Sequence, residues 1–104
     1  MNQQINKWDI VLISINKNNQ QIKRPALIVS PNEYNREGYS VIFPITSNIS
    51  SISNIDYKIN FWKEAGLPKS AIVKLWFATI SNSIITKKIG TLHQEDIFNI
   101  LKLL

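Results

Sequence analysis

Two short polar clusters stand at the ends of apolar runs, and their residue types suit them to hold an anion. The first is Lys23-Arg24-Pro25, which leads into Ala26-Leu27-Ile28-Val29. The second is Thr46-Ser47-Asn48, which closes the run Val41-Ile42-Phe43-Pro44-Ile45. A planar guanidinium donates two parallel hydrogen bonds to an oxyanion and stays protonated. Arg24 is therefore suited to stabilising negative charge and unsuited to taking a proton. Thr46 can donate its hydroxyl to the same anion. Taken alone, simpler readings stand beside these: Arg24 as a charge guarding a strand end, and Thr46 as a hydroxyl satisfying a bulge at Pro44.

The rest of the chain narrows the chemistry. There is no cysteine, so disulfides and thiolate metal sites are excluded. His93 is the one histidine, which rules out a paired-histidine site; at the start of a helical segment it reads as a cap or a surface residue. Three scattered glycines make no phosphate loop. Any reaction is expected to run without a metal or other cofactor, on Arg, Thr or Ser, Lys or a carboxylate.

The elements that must position these residues are legible from pattern. Residues 8–15, 24–30, 39–47, 55–60 and 71–80 are β-branched or alternating runs and read as strands, and residues 87–92 read as a short last strand. Pro25 suits a strand entry, and Pro44 implies a bulge or an edge. Residues 16–23 read as a polar loop, 31–38 as a helical turn closed by Gly38, 47–54 as a Ser/Asn-rich loop, and 61–70 as a connection punctuated by Gly66 and Pro68. Residues 93–104 form the one clear helix, with Ile97, Ile100, Leu101 and Leu104 on one face and Glu95 and Asp96 near its positive end. Five or six short strands and a C-terminal helix predict a mainly β fold: a strongly twisted antiparallel sheet, curled into a small barrel, with the helix against one side.

The length of 104 residues suits one domain, residues 1–104. The N-terminus carries no long apolar stretch, so a cytoplasmic protein with no membrane association is expected. The formal net charge is +5, and ten of the twelve cations are lysine. Such a domain attracts polyanions, either nucleic acid or an acidic protein segment, although lysines also simply maintain solubility.

Taken together, the segments 23–36, 41–48, 71–75 and 87–101 are similar to the PemK/MazF/Kid family of toxin endoribonucleases. The Arg-Pro pair, the Pro-Ile-Thr-Ser segment and Lys-Ile-Gly-Thr-Leu before a helix occur in the family's order, and the likeness runs from Trp8 to the last helix. It implies an SH3-like antiparallel β-barrel, a homodimer, metal-independent cleavage of single-stranded RNA by 2′-hydroxyl attack, and a cognate antitoxin, here expected to be acidic. By motif, the family's catalytic pair falls on Arg24 and Thr46.

Two positions depart from the family pattern. Residues 16–23 hold no glycine, histidine or carboxylate, and Trp76-Phe77 stand where many members carry Asp-Gln, so no general base is assigned. The RNA-binding set expected beside the catalytic pair is Gln20, Gln21, Lys23, Ser47, Asn48, Lys74 and Trp76. If residues 71–80 form one strand, Lys74 and Trp76 share a face as a platform for a stacked base and its phosphate, opposite a core face of Ala71, Val73, Leu75 and Phe77. Packing in an interface is the competing reading of Trp76, and Trp8 and Trp62 read as packing residues. The missing Asp also motivates an alternative function: a non-catalytic toxin or degenerate member that binds RNA, an antitoxin or a protein target such as gyrase.

Overall fold

A computed structural model describes residues 4–49 and 52–104. Within the 47–54 stretch predicted as a loop, residues 50 and 51 lie outside the described residues. Strands β1 (Asp9–Lys17) and β2 (Gln20–Ile28) pair antiparallel over all but one residue of each, from Ile10 opposite Leu27 to Lys17 opposite Gln20. The polar loop predicted for residues 16–23 is thus corrected to a two-residue hairpin. Asn18 and Asn19 turn it at φ 53° and 63°. Two consecutive left-handed residues match the right-handed twist of the flanking strands, and Asn tolerates that conformation better than other non-glycine residues.

A short helix, α1 (Asn32–Asn35), leads to β3 (Tyr39–Thr46), with Gly38 at φ 104° between them. β3 is the hub of the sheet. One side pairs with β2, through Ala26–Pro44, Leu27–Phe43 and Ile28–Ile42. Its other side is shared by two short strands, β5 (Ile72–Lys74) and β6 (Ala78–Ser81). The single strand predicted over 71–80 is therefore interrupted at Leu75-Trp76-Phe77, where Trp76 N–H turns back to the Lys74 carbonyl at 2.8 Å. The predicted faces fail with it: Phe77, expected in the core, is 70% exposed, whereas Ile72 is fully buried beside Val73.

β4 (Asp56–Lys58) extends the sheet beyond β5, and β7 (Ile85–Thr91), reached through a 3₁₀ turn (Asn82–Ile84), pairs with β1 at the opposite end. In the order β4-β5-β3-β2-β1-β7, with β6 on β3, the strands β4, β6 and β7 each have one partner, so the mainly antiparallel β fold is as expected but, among the described residues, its barrel is not closed by hydrogen bonds.

Both faces of the central strands are covered, which explains their near-continuous apolar runs. Ile10, Leu27, Phe43, Ile45 and Val73 pack with Ile100 of helix α2 (Gln94–Leu103). Their alternates Val11, Ala26, Ile28 and Ile42 pack on the other face, against Ala78, Ile80 and Ile84. His93 caps α2, its Nδ1 accepting from Glu95 N–H at 3.1 Å, and its ring stacks on Phe61.

The buried face of α2 also differs from expectation. Leu101 and Leu104 are more than half exposed, while Asp96 is fully buried with Ile100. A buried carboxylate must be hydrogen-bonded, and Asp96 is. Oδ1 accepts from the Tyr57 hydroxyl and Asn60 N–H, and Oδ2 from Phe61 N–H at 2.9 Å. The acid chosen from sequence to complement the helix dipole therefore also fastens α2 to the connection after β4. Among the described residues no helix is long and apolar enough to cross a membrane.

Candidate functional site

The β2–β3 ladder ends at Ala26–Pro44. Neither Pro25 nor Pro44 has an N–H to continue it. Beyond that point β2 stays with β1, while β3 stays with β5 through Ile45–Val73 and Thr46–Ile72. The two strands part, and a cleft of about 380 Å³ opens between them. That volume lies in the roughly 300–1,000 Å³ range of small-molecule sites.

Arg24 and Thr46 both line this cleft, with Lys23 and Ser47 beside them. The register explains why. Arg24 and Thr46 each lie two residues past the last pair, Ala26–Pro44, where the strands part, and side chains two apart on a strand share a face. Lys23 and Arg24 are exposed, and Thr46 is half-buried. Thr46 Oγ1 accepts from Asn48 N–H at 3.1 Å. That bond occupies an acceptor position and leaves the hydroxyl proton available to a ligand. The floor and far wall come from Ile22, Pro25, Ile45 and Ala71 and from Leu67, Pro68 and Lys69 of the β4–β5 connection.

No carboxylate or imidazole is among the lining residues, and all three ionisable side chains that line the cleft are cations: Lys23, Arg24 and Lys69. The ion pairs among the described residues lie elsewhere, Lys74–Asp56 at 2.9 Å and Lys88–Asp9 at 3.2 Å. Three cations without a counter-charge favour an anionic ligand and give the cleft nothing that can act as a carboxylate base.

The other predicted RNA-binding residues lie outside this cleft. Gln20 is at the hairpin turn. Gln21 is tied into the same hairpin, accepting from the Ser14 hydroxyl and donating to Asn16 at 2.9 Å. Asn48 contributes the backbone N–H to Thr46. Lys74 gives its ammonium to Asp56 and also lies 5.8 Å from the Trp76 ring centroid. This pairing holds the Asp56 carboxyl below its ordinary pKa, the Lys74 hydrogen bond being the largest cause. Trp76 is 53% exposed, at the strand break. Trp8 and Trp62 pack against the main core. Sequence reasoning missed Lys69, which sits in a non-periodic Gly/Pro connection. The signal available was its place between two apolar anchors, Leu67 and Ala71.

A family model for the PemK-like, MazF-like toxin of type II toxin-antitoxin systems matches residues 6–104. The chain belongs to this family. No curated protein sequence matches it. Solved structures similar to this MazF-like chain include MazF from Deinococcus radiodurans, at 17% identity over 99% of this chain and 94% of that chain with TM-score 0.75. A MazE–MazF structure from the same organism matches at 17% identity over 98% and 94%, with TM-score 0.79. The Mycobacterium tuberculosis toxin MazF-mt6 matches at 18% identity over 91% and 90%, with TM-score 0.71. At these identities the structures establish a shared fold.

Proposed function

We propose that this toxin is a metal-independent endoribonuclease that cuts single-stranded RNA in the Arg24–Thr46 cleft. One observation carries the reading: a guanidinium and a hydroxyl from adjacent strands share a cleft whose ionised side chains, among the described residues, are all cations. In the proposed reaction the ribose 2′-hydroxyl loses its proton to solvent water as its oxygen attacks phosphorus, the P–O5′ bond breaks, O5′ takes up a proton from water, and the products are a 2′,3′-cyclic phosphate and a 5′-hydroxyl. Charge grows on the two non-bridging oxygens. Arg24 meets them with its paired donors, and Thr46 adds a third donor, its oxygen already accepting from Asn48 N–H. Lys23 and Ser47 flank the phosphate, and Trp76 offers an open indole to a base further along the strand.

The proposal extends to a cytoplasmic homodimer restrained by an acidic antitoxin. The MazE–MazF structure shares the fold, and a positively charged cleft would attract an acidic segment.

The test is a long single-stranded RNA incubated with purified protein in EDTA. Wild type is expected to cut it. Removing one charge-stabilising donor typically costs about 3–4 kcal/mol, so Arg24→Ala is expected to be ~10²–10³-fold slower. Thr46→Val should also be slower; Arg24→Ala should melt as wild type does, because its side chain is exposed, and Thr46→Val, which gives up the Asn48 bond, should lose no more than about 1 kcal/mol. Intact RNA with wild type, or full activity in Arg24→Ala, rejects the nuclease reading.

A second reading, a binder without catalysis, is favoured by the absence of any base among the lining residues and by Trp76-Phe77. Topoisomerase-linked DNA breaks on expression, with RNA intact, would select it.

A further inference from the structure

We propose that Lys69 heads a second phosphate subsite in the same cleft, so that the protein grips two phosphates of one strand. This rests on the nuclease reading above, which places one phosphate at Arg24 and Thr46. The sheet order β5-β3-β2 puts Thr46 in the middle, with Arg24 on the β2 side and Lys69, three residues before β5, on the other. β2 and β3 have parted at this level, so the two cations flank Thr46 from different walls of the cleft. A polynucleotide crossing the strands over Thr46 meets both.

Lys69 is also held in place. Leu67 and Ala71 on either side are 6% and 3% exposed. Leu67 N–H donates to the Trp62 carbonyl at 3.0 Å. Pro68 fixes its own φ. Gly66, at φ 90°, lies so close to the Ile89 carbonyl that a Cβ there would come within 2.8 Å of its oxygen. The ammonium thus leaves a constrained connection and meets no partner among the described residues.

Charge favours more than one phosphate. Lys23, Arg24 and Lys69 line the cleft together, and one phosphodiester carries a single negative charge. Arginine's fork suits the reacting phosphate, whereas a lysine acts as a point charge on a neighbouring one.

The test separates this inference from the reading beneath it. A 2′-O-methyl oligonucleotide has no 2′-hydroxyl nucleophile, so binding can be followed by fluorescence anisotropy across a salt series without cleavage. For single strands, log K falls with log[salt] at a slope of about −0.7 per phosphate engaged. Lys69→Ala should make the slope shallower by about 0.7 and weaken binding about three- to tenfold. Lys69→Arg should restore both. On cleavable RNA, Lys69→Ala should raise KM with kcat nearly unchanged, whereas Arg24→Ala lowers kcat. A salt slope unchanged in Lys69→Ala but shallower in Arg24→Ala overturns the second subsite and leaves the nuclease reading standing. A slope unchanged in both variants, or no binding by wild type, overturns both.

Discussion

Asp96→Asn makes the sharpest test of how the fold is fastened. The wild-type carboxylate takes three hydrogen bonds, two at Oδ1 and one at Oδ2, while fully buried. Asparagine is nearly isosteric, and its carbonyl can keep the Tyr57 and Asn60 donors at the Oδ1 position. Its NH₂ then points at Phe61 N–H, donor against donor. One charge-assisted bond is lost, and the other two become neutral ones. Bonds to charged groups contribute about 1.5–3 kcal/mol and neutral ones about 0.5–1.5 kcal/mol, and shedding a buried charge offsets part of the loss. The net expectation is about 2 kcal/mol. Asp96→Ala orphans all three donors and should cost about 4 kcal/mol. For a domain of this size 1 kcal/mol corresponds to roughly 4–8 °C in Tm, so the asparagine variant should melt roughly 8–16 °C lower. Calorimetry measures that shift. Amide hydrogen exchange localises it, since Asn60 and Phe61 should lose protection before the β1–β2 hairpin does. An asparagine variant that melts within 2 °C of wild type would refute this account of how α2 is held.

Gly90 faces Ala65 so closely that a Cβ would lie 2.2 Å from its carbonyl oxygen. Gly90→Ala must displace backbone, and a urea titration should show a loss of about 1–3 kcal/mol. Burial, reinforced by Asp96, raises the Tyr57 pKa from 10.0 to about 12. A folded pKa above the unfolded value contributes stability that is complete below pH 10 and is lost as pH rises toward 12. The stability difference between wild type and Tyr57→Phe should therefore shrink across pH 10–12; a constant difference would contradict the assignment. For Asp56 the sign is opposite. Its lowered pKa contributes above pH 3.8 and is lost as pH falls through the folded value, and Lys74→Met should remove the largest part of that acid dependence and leave the part due to Ser53.

Much of the architecture could be read from the chain because its strands are rich in β-branched residues and its helix has a 3.6-residue apolar period. The cleft was legible through two short motifs. Their meeting depends on register, and register depends on which side chains the two cores claim, so residue types alone left Arg24 and Thr46 with simpler readings. The misses share a cause. At Asn18-Asn19 the turn information lies in a left-handed backbone preference with no apolar periodicity to announce it. At 75–77 the apolar run continues while the hydrogen bonding does not, because β3 offers one edge to two separate strands. On α2, hydropathy favours Leu101 over Asp96, yet three donors from the Tyr57–Phe61 segment make the acid the better-satisfied interior residue. Lys69 carries no pattern at all; only the folded connection brings it to the cleft.

The pairing of β1 with β7 has a consequence for synthesis. All the cleft residues have been made once translation reaches Ala71. The strand that completes the β1 edge comes about twenty residues later, and Ile100, which fills the core beneath β2 and β3, later still. At about 5–20 residues per second, a nascent chain spends seconds with its binding surface made and its interior unfilled. The ribosome thus imposes a delay on this fold, and an early-terminated product would carry the groove residues without the support that holds them in place.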